Sequence, residues 1–380
     1  MRVLFVHRQP CIRTLKYATA LRSAAPDIDV AFAYQGKTLT QFYGSGDELF
    51  SGWYQLPYAV DPVTELEATI DRFRPDVIHC HNLPDTLTVS AQQAAAGRIP
   101  VIHDVHDFQS LRKTPYEDGF PDPPDPIADE RIAVEASDGL ITVSDQLLQE
   151  IADRYELPAQ HRVIANYVLA EDLPDLSARR VRERSAPIRM VYQGSLSTSQ
   201  GHYDLRDIFT DLVESGIELH VHPARPAAAE YRALADRLNV HGVRMHIHEP
   251  CAPRELLRRL TDYDVGWAGF NTTHNDAHLN TVLPNKAFEY VGCGLPVVSL
   301  PHDALADWID GNGVGIVVQR ASDVAAALQG MDLDALRDTV RAKRRDFTME
   351  AAIGRLRDLY GAVSGSTSLT PTLHIPTLQP

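Results

Sequence analysis

The sequence is poor in cysteine: Cys11, Cys80, Cys251 and Cys293 are the only four in 380 residues, widely spread and with no C-x-x-C pair. Such spacing indicates neither a disulfide framework nor a thiolate zinc site, and predicts reduced, mostly buried thiols. Basic residues are also short, 36 Lys and Arg against 51 Asp and Glu, giving a formal charge of −15. That balance argues against nucleic acid as the main partner, because phosphate backbones are held by basic surfaces. No run approaches the roughly 18 apolar residues of a membrane span, and the opening MRVLFVHRQP lacks a long apolar leader. No integral membrane segment and a cytoplasmic location are therefore expected. No short-period repeat is present.

A hydrophobic content of 44% and a charged content of 23% are those of an ordinary globular protein. The chain exceeds the roughly 250–300 residues at which single cores stop growing, so two domains are expected. Short runs rich in Val and Ile recur at 2–7, 29–33, 76–81, 99–104, 139–143 and 162–166, separated by helix-length segments at 11–24, 64–73, 84–96 and 144–155. Continuous apolar strands alternating with helices predict a parallel sheet covered on both faces.

Residues 169–187 then turn charged and carry prolines without a sustained apolar period, the composition of a linker. Alternation restarts with strands at 188–194, 217–222, 243–248, 264–270, 295–299 and 313–318. The fold class is therefore α/β: two Rossmann-like parallel-sheet domains, 1–168 and 188–346, facing each other across a cleft. Helical patterns at 332–346 and 349–360 follow, and the Ser/Thr/Pro-rich residues 364–380 are expected to form a mobile tail.

The stretch 283–299, LPNKAFEYVGCGLPVVS, organises the rest. Pro284 opens a short helix, since its missing N–H is not needed in a first turn, and Gly292 and Gly294 end it before a buried strand. The free amides of that first turn, near Asn285 and Lys286, form a seat for phosphate, and Glu289 one turn later is placed to accept hydroxyl hydrogen bonds. Phosphate with sugar hydroxyls points to a nucleotide. The same spacing also admits an exposed ion pair between Lys286 and Glu289.

Three His-x-His pairs, His79/His81, His220/His222 and His246/His248, each place two imidazoles on one face of a strand, but none has an obvious third ligand in sequence. No metal site is assigned. Ser144 is suited to capping the helix that follows it.

Pro284-Asn285-Lys286, Glu289-Tyr290 and Gly294-Leu295-Pro296-Val297-Val298 resemble the nucleotide-sugar site of retaining GT-B glycosyltransferases of the family 4 type. The resemblance covers most of residues 1–363. It implies a transferase moving a sugar from a nucleotide diphosphate sugar, a substrate and not a cofactor, to a small-molecule, glycan or lipid-linked acceptor, without a metal and with retention. By the same resemblance Glu289 holds the ribose, Thr281 stands where the family has an earlier glutamate, and Val282 and Leu283 count with it among the donor-binding residues. Gly194 and Ser195 would approach the diphosphate. The family's following Arg is absent, and the place of its Lys falls near Gln200-Gly201-His202, so Lys286 is the main cation.

His106 is the match to a histidine close to the transferred sugar, with Asp107 beside it. Asn166 is expected at the domain junction. The glycine pair usual after the first strand is replaced by His7-Arg8-Gln9-Pro10-Cys11, so Arg8, Arg13 and Lys16 would either meet an anionic part of a substrate or form a solvated helix face. A final helix at 347–363 would cross back onto the first domain. Rival readings are an epimerase or hydrolase on the same fold, a non-catalytic sugar-nucleotide binder, and a scaffold.

Overall fold

A computed structural model of the chain describes residues 1–113, 123–177, 186–199, 201–242, 244–272 and 275–365. The expected linker therefore lies partly, and the expected tail almost wholly, outside the described residues, as does Gln200.

The first sheet has seven strands, β1 Arg2–His7, β2 Asp29–Tyr34, β3 Trp53–Gln55, β4 Val77–His81, β5 Val101–Val105, β6 Gly139–Thr142 and β7 Gln160–Val163, in the order β3-β2-β1-β4-β5-β6-β7. The second has six, β8 Arg189–Gly194, β9 Glu218–Pro223, β10 Met245–Ile247, β11 Val265–Trp267, β12 Val297–Ser299 and β13 Gly315–Val317, in the order β10-β9-β8-β11-β12-β13. Adjacent strands are parallel in both. These are two doubly wound α/β sheets.

Their apolar runs are continuous because both faces of each sheet are covered. In β1, Val3 and Phe5 join one core with Tyr17 and Leu21, while Leu4 and Val6 join the other with Leu66 and Ile70. In β8, Met190 and Tyr192 face Phe209 and Trp267, while Val191 faces Phe288 and Tyr290. The edge strand β3 and the helices Leu39–Tyr43, Asp303–Asn312 and Val324–Gln329 have no counterpart in the sequence reading. They are short or weakly apolar, and their stability comes from docking. The strand read at 162–166 is in fact Gln160–Val163, so Asn166 lies beyond it.

The last helix, Met349–Val363, is capped by Thr348 and lies on the first sheet. Its Leu356, Leu359 and Tyr360 are fully buried with Val3 and Phe5, and the Tyr360 hydroxyl sits 2.8 Å from His79 Nδ1. The crossing is pinned where Met349 N donates to the Val168 carbonyl at 2.8 Å. Burying several large apolar side chains contributes roughly 1.5–3 kcal/mol each, enough to tie the second domain's trailing end to the first.

Candidate active site

Ligands of doubly wound sheets bind beyond the carboxyl ends of the strands, where strand order reverses. Here both reversal points, β1/β4 and β8/β11, open on one cleft of about 780 Å³ lined by both domains.

The second domain supplies the helix Asn285–Gly292, whose first turn faces the cleft with Pro284, Asn285, Lys286 and Glu289. Its position is fixed by Tyr290, whose hydroxyl donates to the Trp267 carbonyl at 3.1 Å and accepts from Gln193 N at 3.0 Å. Gly266 makes room for that ring, since a Cβ there would fall 2.3 Å from Tyr290 Cδ2.

Lys286 is buried, with Nζ 4.3 Å from the Tyr192 ring centroid and 5.1 Å from that of Phe270. Burial lowers its pKa to about 7, opposed by the negative charge of Glu289. Glu289 makes no ion pair with Lys286 among the described contacts; one of its carboxylate oxygens accepts from Gln193 Nε2. The exposed ion pair that the spacing admitted is therefore absent. Asn285 Oδ1 is buried without a hydrogen-bond partner among the described residues.

Gly194 ends β8 with φ +134, a conformation open to glycine, and a Cβ there would stand 3.4 Å from Lys286 Nζ. Gly194 and Ser195 both line the cleft beside that amine, as do Val282 and Leu283. Thr281 does not. It is 2% exposed, its hydroxyl donates to the His278 carbonyl at 2.8 Å, and its own carbonyl accepts from Ser144 Oγ at 2.5 Å. Its assignment to the donor site is corrected to a buried place in the domain junction. Ser144, expected only to cap, caps through Leu147 N and also bridges the domains.

The first domain supplies His106 and Asp107, just past β5. Asn82 holds this turn: its Oδ1 accepts from His106 N at 3.0 Å, and its Nδ2 donates to the Asp107 carbonyl at 2.5 Å. Burial lowers the pKa of His106, with Asp107 opposing, so the ring is neutral at pH 7. Across the cleft His278 Nε2 lies 3.5 Å from Asp107 Oδ1.

Arg13 and Lys16 form no solvated face; both are buried. Arg13 lines the cleft, but its guanidinium is committed inward, to Asp104 at 2.9–3.1 Å, Asn166 at 2.9 Å, Tyr17 at 2.7 Å and the Ile164 carbonyl at 2.9 Å. That corrects its reading as an anion contact. Burial alone would raise the pKa of Asp104, yet Arg13 holds it well below the usual carboxylate range. Lys16 Nζ reaches the Asn166 carbonyl at 3.3 Å, so Asn166 is held by two basic side chains of its own domain. Arg8 is 8% exposed and absent from the cleft lining, and its backbone carbonyl accepts from Gln35 and Gly36.

Sequence reasoning missed Gln193, His278, Phe270 and Asn82. Gln193 had a signal, a polar residue ending an apolar strand directly before Gly194. The others are brought to the cleft by chain segments with no motif of their own. The absence of third ligands for the His-x-His pairs is also corrected, because folding places Asp104 beside His79/His81 and Glu218 beside His220 and His246. The chain's Asp-x-Asp triplets, at 27–29, 262–264 and 332–334, all lie outside the cleft lining.

Residues 18–171 match the model of Glycosyltransferase Family 4. No curated protein sequence matches the chain. Among solved structures, sucrose-phosphate synthase from Thermosynechococcus elongatus superposes with a TM-score of 0.65 at 15% identity, over 97% of this chain and 100% of that one. HepE of Anabaena, solved in complex with UDP, gives 0.66 at 14%, over 96% and 100%. A protein of Listeria monocytogenes described as a UDP-N-acetylglucosamine 2-epimerase gives 0.57 at 12%, over 98% and 99%. By fold the chain is a GT-B protein, and its residues 18–171 are similar to Glycosyltransferase Family 4.

Proposed function

We propose that the protein is a glycosyltransferase that binds a nucleotide diphosphate sugar against its second domain and passes the sugar to an acceptor held by the first. One observation carries the reading: a buried amine, Lys286, stands at a helix N-terminus beside the positive-φ Gly194, with Glu289 one turn away and His106 on the facing domain.

Departure of a nucleoside diphosphate requires its growing charge to be met. Lys286 and the free amides of the Asn285–Gly292 helix meet that charge in this reading, in a site largely shielded from water, where each contact counts for more than in solution. Glu289, steadied by Gln193, accepts from ribose hydroxyls. His106, neutral and held by Asn82, accepts a hydrogen bond at the sugar. Transfer proceeds with retention, as the resemblance implies, and the acceptor enters past Asp107. The unpaired thiols Cys80 and Cys293 fit a cytoplasmic setting.

UDP and UDP-glucose are the first donors to test, since the similarly folded HepE is known in complex with both. Turnover of a donor only when an acceptor is supplied, and undiminished after EDTA treatment, is expected. An epimerase on this fold would convert its nucleotide sugar with no acceptor, and loss of turnover on chelation restored by Mg²⁺ or Mn²⁺ would overturn the metal-free part.

A further inference from the structure

The second sheet carries four histidines that the cleft chemistry does not explain. In the parallel pair β9 and β10, His220 stands in register with His246, and the two rings stack at 4.2 Å and 4°. Two residues further along, His222 and His248 stack at 4.1 Å and 4°. Glu218 lies at the near end of this ladder. Its Oε1 is 2.9 Å from His220 Nε2 and 3.6 Å from His246 Nε2.

From this geometry we propose that Glu218, His220 and His246 form a binding site for a divalent transition metal of the zinc type, which clips the short edge strand β10 to β9. Ligands at about 2.0–2.2 Å around a tetrahedral ion stand about 3.3–3.6 Å apart, and the two measured separations, 2.9 and 3.6 Å, span that range. All three ligand atoms fall within 4.8 Å of one another. His246 Nε2 is buried and has no hydrogen-bond partner among the described residues, so that nitrogen is available to an ion.

The outer contacts fit as well. With its Nε2 on the metal, His220 keeps its proton on Nδ1 and donates it to His248 Nε2 at 3.1 Å, the kind of second contact that orients metal-bound imidazoles. Burial keeps His220 neutral at pH 7, as a ligand must be. Glu218 and His246 retain 26% and 32% side-chain exposure, which leaves a path for the ion and a place for water. Arg189 Nε lies 3.4 Å from the same Glu218 oxygen and shares it.

The other histidine cluster differs in kind. At His79, His81 and Asp104 the carboxylate is gripped through both oxygens by Arg13, and every side chain is buried. An ion there would have to displace a guanidinium.

The proposed site lies toward the start of β9: Glu218 is four residues, about 13 Å along the strand, and His220 two residues, about 7 Å, from His222, which lines the cleft. A set of two histidines and one carboxylate suits zinc, cobalt or ferrous ions.

The test uses the full chain, free of any histidine tag and stripped with chelator, titrated with ZnCl₂ by calorimetry and with CoCl₂ by visible absorption. One equivalent of zinc should bind and raise the melting temperature, since a ligand of the native state stabilises it by mass action. His246→Ala and Glu218→Gln should each weaken binding by about tenfold or more and remove the cobalt absorption band. Both sites are partly exposed, so circular dichroism and UDP binding should remain as in the wild type. The proposal fails if no ion binds, if both variants bind zinc as the wild type does, or if His81→Asn abolishes binding while His246→Ala does not. EDTA should lower the melting temperature yet spare transfer, which separates failure of this site from failure of the transferase reading.

Discussion

The buried amine of Lys286 makes a quantitative prediction. Its pKa of about 7, against an ordinary 10.5, arises because burial penalises the charged form and Glu289 only partly restores it. A diphosphate seated beside Gly194 would favour the ammonium and raise that pKa again. Donor binding should therefore draw a proton into the site: about 0.1 per molecule bound at pH 6 and about 0.9 at pH 8, from the fraction of amine left unprotonated. Over the same range affinity should be nearly flat below pH 7 and then fall by about tenfold, or about 1.4 kcal/mol, per pH unit until the pKa of the complex is reached. UDP-glucose is the ligand to use, because its esterified diphosphate does not itself titrate there. Calorimetry in buffers of unequal ionisation enthalpy counts the protons directly. Lys286→Arg, permanently charged, should abolish both the proton uptake and the pH slope, and Lys286→Met should weaken binding at every pH. Because the pKa falls on folding, the amine costs the native state stability, most fully below pH of about 7. Lys286→Met should therefore also raise the melting temperature of the unliganded protein at pH 6. Equal binding enthalpies in all buffers, with an affinity flat from pH 6 to 9, would refute the placement of Lys286 at the diphosphate.

Glu289→Gln keeps the shape of the site but exchanges a charged acceptor for a neutral one, so UDP should bind more weakly by about 1–3 kcal/mol, read by titration calorimetry against an unchanged melting curve. His106→Ala should lower kcat by about tenfold or more while UDP affinity stays within about threefold; parallel losses would instead make His106 a prop of the turn that Asn82 holds. Because its pKa is lowered by burial, the wild-type kcat should show no acid limb from this group until well below pH 6.5. Asp104→Asn should destabilise the fold by roughly 3–5 kcal/mol in urea unfolding, since it leaves the Arg13 guanidinium buried without its anion.

Sequence alone determined a good deal here. Strand runs with apolar residues at every position, such as 2–7 and 188–194, have two buried faces, which in turn requires helices on both sides of a parallel sheet. Pro284 and the paired glycines marked the helix and strand after it because those residues restrict or free the backbone locally. Such signals are local, and so survive in one dimension. The family match over residues 18–171 falls on the first half of the chain and does not include the Pro284 stretch. Tertiary structure decided the rest. Whether Lys286 pairs with Glu289 or stands buried against Tyr192 and Phe270 depends on β8, nearly a hundred residues away in sequence, and on the turn after β11. Likewise Arg13 reads as a helix-surface cation until Asp104, brought in by β5, takes both its charge and its donors. Thr281 reads as a cleft residue until Ser144 of the other domain claims its carbonyl. His79 and His81 gained Asp104 only when β4 met β5, and Glu218 and His220, neighbours on β9, gained His246 only when β10 paired with them. For Arg13 and Thr281 the deciding partner is a buried polar group from a distant segment, and burial, which sets both charge state and hydrogen-bond demand, is a property of the packed molecule and not of the chain.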